Sequence, residues 1–444
     1  MAAIILALLA QQFYAPFAPA AVAPAYAVSP ALMKMLKIQN GFQSDPLRTG
    51  DCQYDPVESQ ASNSPDISGV NYLHTCRNLI FDHNGREFTF VGVNWFGLET
   101  SAFAPDGLLT RKLDDILDEI AQKGYNAIRL PFSSEAIGEI DHPRAINYDL
   151  NPDLQGLSTL EIMDKIVEGA RKRGLRIVLD RHRPTSWSQT PLWYTDSVSE
   201  KRWIDDWRML AQRYLGNDTV VAFDLHNEPH DGATWGTDNV YTDWRLAAER
   251  AGNAILEVNP YLLIFVQGIE TYQQDSFWWG AQLRAAGEFP VRLNIPNRLV
   301  YSTHDYGPEV YDQKYFHDPT FPANLESVWD LHWGYLQKQE IAPVVMGEFD
   351  GPSLGDDISG KWQKTLLRYL FLNRIGFFVW NLDKQVWDRR GNLTTHWATF
   401  ALKTQNLAKG YLFPPGLREI IDDLITRTRG NNLITHTKGI EMIR

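Results

Sequence analysis

Two glutamates stand apart from the other acidic residues of this chain because of what surrounds them. Glu228 lies in Phe223-Asp-Leu-His-Asn-Glu-Pro229 and Glu348 in Gly347-Glu-Phe349, each where an apolar run gives way to a loop. Two carboxyls facing one another are what cleavage of a glycosidic bond requires. One is protonated and hands a proton to the leaving oxygen; the other is ionised and attacks, or stabilises, the oxocarbenium-like centre. A lone glutamate is ordinarily a solvated surface charge, but polar groups recur after the other apolar runs as well: Asn94 and Trp95, Arg129, Asp180 and His182, His226 and Asn227, His304 and Tyr306, Trp380 and Asn381. Packing alone gives no reason for ionisable side chains to gather at those points. A metal reading of His226, Glu228 and His230 fails on spacing, because Pro229 interrupts the His-Glu-x-x-His helix that such a site needs. Neither a metal nor a cofactor is expected.

The elements that would position these groups alternate along the chain. Eight apolar or β-branched runs read as strands, at 89–94, 127–131, 175–180, 220–225, 262–266, 299–303, 343–347 and 376–380. Between them, sets such as Met163, Ile166, Val167 and Ala170, or Ile204, Trp207, Leu210, Ala211 and Tyr214, repeat at helical spacing. A last helix is expected at 417–425. Continuous rather than alternating apolar strands imply burial on both faces, as in a parallel sheet. The expected fold is therefore α/β, a (β/α)8 TIM barrel with its site at the carboxyl ends of the strands. A doubly wound open sheet would want a glycine-rich loop after its first strand, and Val93-Asn-Trp-Phe-Gly97 is not one.

Composition narrows the partners. The chain has 444 residues with 42 basic and 54 acidic side chains, a formal charge of −12 that argues against a nucleic-acid backbone as partner. The first 33 residues carry no charge, and their apolar start is too short to span a membrane and is broken by Pro16, Pro19 and Pro24. This stretch partly resembles a secretory leader, with Ala25-Tyr26-Ala27 as a small-residue cleavage site, although no basic residue precedes it. The expected organisation is a leader-like and low-complexity segment at 1–70, a catalytic domain at 71–428 and a tail at 429–444. Cys52 and Cys76 can form at most one bridge. Tryptophan is abundant, with 15 residues, all at or after Trp95.

Taken together, Gly92-Val-Asn-Trp-Phe-Gly97, Ile128-Arg-Leu-Pro131, Leu179-Asp-Arg-His-Arg-Pro184, the Glu228 string, Ser302-Thr-His-Asp-Tyr306 and the Glu348 string resemble glycoside hydrolase family 5, in particular its bacterial-type endo-β-1,4-glucanases. The likeness runs over 72–412 with the motifs in family order. It implies hydrolysis of a β-glucan with retention, by two displacements and without a cofactor. Glu228 resembles the acid/base and Glu348 the nucleophile. Arg129 resembles the arginine beside the nucleophile, and Asn227 the residue that bonds the sugar 2-hydroxyl. His182, His304 and Tyr306 resemble the other substrate-facing groups, Tyr306 as a partner of the nucleophile and His304 as one that orients Glu228 or the substrate. Trp380, or alternatively Phe378, resembles the platform at the cleavage point.

Other implications are a secreted, monomeric enzyme whose partner is a polysaccharide or oligosaccharide, with no stable membrane insertion. A β-mannanase, a xyloglucanase and a non-catalytic carbohydrate-binding barrel are the alternatives. The chain departs from its relatives in placing Ser101, Ser186 and Thr234 where they often carry loop cysteines, and Asp350 after Phe349, close to the nucleophile. Gly347 would let a sugar ring approach the backbone.

The tryptophans divide by position. Trp203, Trp207, Trp244, Trp329, Trp333 and Trp362 fall in helical patterns and read as core. Trp95, Trp187, Trp193, Trp235, Trp278, Trp279 and Trp380 fall at strand ends or in the loops that follow, where indole faces suit an extended neutral glycan.

Overall fold

A computed structural model describes residues 70–138, 143–351 and 355–382, together with the backbone of two short strands, Gln385–Trp387 and Leu393–Thr395. The leader-like segment, Cys52, the helix expected at 417–425, the tail, Trp397 and the side chain of Trp387 lie outside the described residues. Cys76 is disulfide-bonded.

Eight strands form a closed barrel. In chain order they are β1 (Val91–Asn94), β2 (Ala127–Ser133), β3 (Arg176–Arg183), β4 (Val220–Asp224), β5 (Leu263–Gln267), β6 (Leu299–Tyr306), β7 (Val344–Asp350) and β8 (Gly376–Val379). Each pairs in parallel with its sequence neighbours, and β8 closes on β1. Every expected strand is present, but β2, β3, β6 and β7 run two or three residues further. The apolar runs stop where the interior turns polar, while the backbone ladder continues through Arg181, His182, His304, Tyr306 and Glu348.

That change of character follows from the two-residue period of a strand. Ala127, Val178, Ala222, Phe265, Val300 and Phe378 share one buried cluster with Leu73, Ile80 and Phe90, which stand before, within and after the antiparallel hairpin His74–Cys76/Leu79–Phe81. Two residues further along, the same wall carries Arg129, Asp180, Asp224, Gln267 and Ser302, all at 0% exposure. The barrel therefore has an apolar floor and, directly above it, an ionic layer.

Helices α1 (Leu113–Gln122), α2 (Thr159–Lys172), α3 (Glu200–Arg213), α4 (Trp244–Val258) and, after β7, α5 (Ile358–Leu372) alternate with the strands. Between β6 and β7 lies a helical stretch at 325–338 whose middle turn, Asp330–Gly334, is π-helical. Ser158 and Glu161 form a capping box that starts α2. The link between β5 and β6, residues 268–298, contains no helix, only the small hairpin Thr271–Tyr272/Asp275–Ser276 and coil. None of the described helices is long and apolar enough to cross a membrane.

The six tryptophans of the helical patterns are buried, at 1% exposure or less. Most of them also fasten helices to the rim of the barrel. Trp203 and Trp207 both donate Nε1–H to the Leu225 carbonyl, Trp244 donates to the Gln267 carbonyl, and Trp329 and Trp362 donate to the two oxygens of Asp305. An indole joins a large apolar face to one directional donor, so a single residue packs the helix and sets the height of the strand end it holds.

Candidate active site

Arg129 is the centre of the ionic layer. Its Nε donates to Asp224 Oδ2 at 3.0 Å, one terminal nitrogen to Asn94 Oδ1 at 3.0 Å and Glu348 Oε1 at 2.6 Å, and the other to Asn227 Oδ1 at 2.9 Å, with Asp180 Oδ1 at 3.0 Å. The guanidinium fork is thus filled on all sides. Burial opposes its charge, but Asp180, Asp224 and Glu348 more than offset that and raise its pKa. Burial likewise pushes Asp180 up to about 7 and Asp224 up to about 6, against the pull of Arg129. One cation thus faces three carboxyls that do not all carry full charge at neutral pH.

Glu348 has a donor on each oxygen, Arg129 on Oε1 and the Tyr306 hydroxyl on Oε2 at 2.6 Å. Burial and the neighbouring carboxylates hold the Tyr306 hydroxyl well above its ordinary pKa, so it remains a donor. Glu228 is held differently. His304 Nδ1 lies 2.8 Å from Oε1, and the amide nitrogen of Gln189 lies 2.6 Å from Oε2. Burial raises the Glu228 pKa above the ordinary carboxyl range. Its backbone stands in the left-handed region at φ 53°, unusual for a residue with a side chain, and its N–H donates to Gln267 Oε1 at 2.8 Å. Gly280 makes room for this turn, since a Cβ there would lie 2.8 Å from the Glu228 Cα.

One carboxylate oxygen of Glu228 and one of Glu348 lie within 4.8 Å of each other, with a ring nitrogen of His304 equally near. Burial lowers the pKa of His304 to about 4 and of His182 to about 3, so both rings are neutral. His182 gives Nδ1–H to Asp180 Oδ2 at 2.6 Å, and its Nε2 stands 3.4 Å from Asn227 Nδ2. The sets Asp180/His182/Glu348 and Glu228/His304/Glu348 have the spacing of metal donors, but Arg129 is already bonded to Asp180 and Glu348. A cation at the first set would have to displace a guanidinium, and one at the second would have to displace the Tyr306 hydroxyl from Glu348 Oε2.

Gly347 serves a different purpose from the one its position suggests. It is the extra residue of an irregularity in the β6–β7 ladder, where Thr303 faces Met346 and His304 faces Glu348. A Cβ on it would lie 2.6 Å from Ser302 Oγ and 2.9 Å from His304 Nε2. The missing side chain makes room for His304, not for a sugar, and the offset brings His304 opposite Glu348. Asp350 sits in register with Tyr306, and its charge adds to the rise in the pKa of both Tyr306 and Tyr125.

The expected rim of tryptophans is corrected in part. Trp95 and Trp193 are at 0% exposure and Trp235 at 2%, with their Nε1–H groups turned inward to Asp106 O, Glu200 Oε2 and Phe289 O. These three cannot serve as platforms: Trp95 is tied into the loop that follows β1, Trp193 packs against Trp203 and Trp244, and Trp235 is bonded to the β5–β6 link beside Tyr301. Trp278 is also buried, its Nε1–H on the Tyr315 hydroxyl and its ring edge-on to Tyr306, and it forms part of the wall beside that residue. Trp279 and Trp380 are half-buried, and each has one face against a histidine, Trp279 on His230 at 3.8 Å and Trp380 on His182 at 5.2 Å. Trp187 is 83% exposed. Phe378 lies on the barrel floor at 0% exposure, so Trp380 is the aromatic ring available at the end of β8.

Three groups that hold the site went unread in the sequence as parts of it: Asp224, Gln267 and Gln189. Gln267 donates to both oxygens of Asp224, at 3.1 and 3.0 Å, while accepting from the Glu228 N–H. Asp224 could have been found, since it stands three residues before Asn227 on a strand that ends in the site. The two glutamines carry no sequence signal.

A stability prediction follows from this layer. Arg129→Met leaves Asp180, Asp224 and Glu348 buried without their cation, and the expected loss is about 3–5 kcal/mol. The folded-state pKa values of Asp180 and Asp224 lie above the free value, so their contribution to stability falls as pH rises through about 6 and 7. The variant's deficit should therefore be larger at pH 8 than at pH 5 in urea titrations. An equal deficit at both pH values would contradict the charge imbalance.

Residues 81–386 match the family model described as Cellulase (glycosyl hydrolase family 5). An endoglucanase from Paenibacillus polymyxa is 49% identical over 360 residues, covering 80% of this chain and 89% of that protein. The major extracellular endoglucanase of Xanthomonas campestris pv. campestris is 39% identical over 72% of this chain and 67% of its own length. Among solved structures, an endocellulase from Pyrococcus horikoshii, in complex with cellotetraose, superposes with a TM-score of 0.69 at 37% identity, covering 78% of this chain and all of that one.

Proposed function

The chain belongs to glycosyl hydrolase family 5 and is an endo-β-1,4-glucanase, and on that footing we propose that it works by retaining double displacement with Glu348 as nucleophile and Glu228 as acid/base. The observation that carries this reading is the approach of the two carboxylates to within 4.8 Å. Inverting enzymes keep their carboxyls about 6.5–9.5 Å apart, so that a water fits between carboxylate and sugar, whereas retaining ones bring them to about 5–5.5 Å.

In the first step Glu348 attacks the anomeric carbon while Glu228 protonates the departing glycosidic oxygen, leaving a glycosyl ester on Glu348. In the second, Glu228 takes a proton from water as it attacks the same carbon, and the ester bond breaks. Arg129 and Tyr306 hold the two oxygens of Glu348 in place before attack. Burial keeps Glu228 in its acid form to a higher pH than a free carboxyl, as the first step requires. Asn227, oriented by Arg129, faces the sugar 2-hydroxyl, and Trp380 and Trp279 stack on sugar rings. Action outside the cell is supported by the size of a polymeric glucan, which does not cross a membrane, and by the extracellular name of the Xanthomonas relative.

Two measurements test this. The first product released from a β-1,4-glucan, followed by proton NMR, should be the β-anomer; an initial α-anomer would overturn the retaining mechanism. Reducing-sugar release should be greatest on carboxymethyl cellulose or lichenan, and a preference for mannan or xyloglucan would move the substrate assignment within the family.

A further inference from the structure

Gln189 lies in the loop between β3 and α3, and its amide nitrogen stands 2.6 Å from Glu228 Oε2. The loop that carries it is tied down on both sides. The Ser186 N–H donates to Glu135 Oε2, and the His230 N–H donates to the Pro191 carbonyl at 3.3 Å. His226 supports the residue next to it. Arg181 lies 2.9 Å from His226 Nδ1 and can only donate, so that nitrogen accepts, and Nε2–H donates to the Thr190 carbonyl at 3.1 Å. Burial drives His226 well below its ordinary pKa, in keeping with this neutral tautomer. Gln189 is thus a half-buried amide on a fixed backbone, aimed at one oxygen of Glu228.

We propose that Gln189 is a positioning residue that sets the pH at which Glu228 gives up its proton, by donating to Oε2 of the ionised carboxylate. The proposal rests on the acid/base reading of Glu228. A donor amide stabilises the carboxylate and opposes the effect of burial, so the pair keeps Glu228 between two demands: protonated for the first step and able to take a proton back in the second. Among the groups facing Glu228, Gln189 is the foremost influence that lowers its pKa, ahead of His182, His230 and Arg129. Asp180, Tyr306 and Glu348 also face it, and His304 occupies the other oxygen. His304 is neutral above about pH 4 and can donate Nδ1–H to Oε1, so the Gln189 amide is the donor that acts on Oε2.

The sign follows directly. Removing the donor raises the Glu228 pKa, and a general acid works while protonated, so the alkaline limb of kcat/KM moves to higher pH. Gln189→Met keeps the length without the donor and should shift that limb upward by about one pH unit in hydrolysis of a soluble β-glucan by the full chain. Gln189→Glu adds a second carboxyl and should shift it further. A lower rate at every pH with the limb displaced by less than about 0.2 unit in both variants would overturn the proposal, because a purely structural role does not move a pKa. Glu228→Gln, measured alongside, separates the two readings. If it abolishes the limb while the Gln189 variants leave it in place, only the role of Gln189 fails; if the limb survives in Glu228→Gln, the acid/base reading fails and the proposal with it.

Discussion

Glu348→Gln lowers hydrolysis of a soluble β-1,4-glucan by about four orders of magnitude or more, the loss expected when a covalent nucleophile is removed. The substitution is conservative in every respect but charge and nucleophilicity. The amide oxygen can take the place of Oε1 in front of Arg129, and the amide nitrogen can donate to the Tyr306 oxygen at the position of Oε2. The barrel should therefore fold, and it should still bind cellotetraose by isothermal titration. A glycosyl-enzyme adduct, trapped from wild-type protein with a slow fluorinated glycoside, should map to the peptide containing Glu348 and be missing in the variant. Hydrolysis within tenfold of wild type would remove Glu348 from the chemistry.

Glu228→Gln behaves differently, and the contrast identifies its role. On a β-glucan, whose leaving group is a sugar hydroxyl, the expected loss is about 10²–10⁴-fold, the usual contribution of a general acid. An aryl cellobioside with an acidic phenol needs no proton for departure, so its first step stays fast and a burst of phenol precedes slow turnover. In Glu228→Ala the emptied space admits azide, which attacks the glycosyl-enzyme without a base and releases a glycosyl azide of retained configuration. Equal losses on both substrates with no effect of azide would assign Glu228 to structure. His304 and Gln189 would lose their partner in Glu228→Ala but keep it in Glu228→Gln, so the amide variant is the cleaner measure of the proton's worth.

The eight strands and the positions of both glutamates could be read directly because a parallel barrel strand is buried on both faces, and continuous apolar runs are its signature. Strand length could not. His182, His304 and Glu348 lie within ladders that continue past the apolar runs, because the upper interior of this barrel is filled by hydrogen-bonded polar side chains in place of leucine and valine. The tryptophans show the same limit. A helical repeat identifies Trp203 and Trp207 as buried, whereas a position just after a strand leaves the direction of the ring open. Trp95 and Trp380 both follow barrel strands. One is sealed under its own loop, with its N–H on Asp106, and the other stands half-open against His182.

By itself the sequence determined the order of the elements, the family to which they belong and the residue types at the rim, because these depend on local periodicity and on motifs a few residues long. Only the tertiary structure decided which groups meet. Arg129 gathers Asp180, Asp224 and Glu348 from three other strands, Gly347 yields its side-chain volume to a histidine on the neighbouring strand, and Gln189 reaches Glu228 from a loop with no motif of its own. Each is a contact between residues distant in the chain. Closure of the barrel sets their separation, and burial within it raises the pKa of Glu228, the carboxyl that gives up a proton.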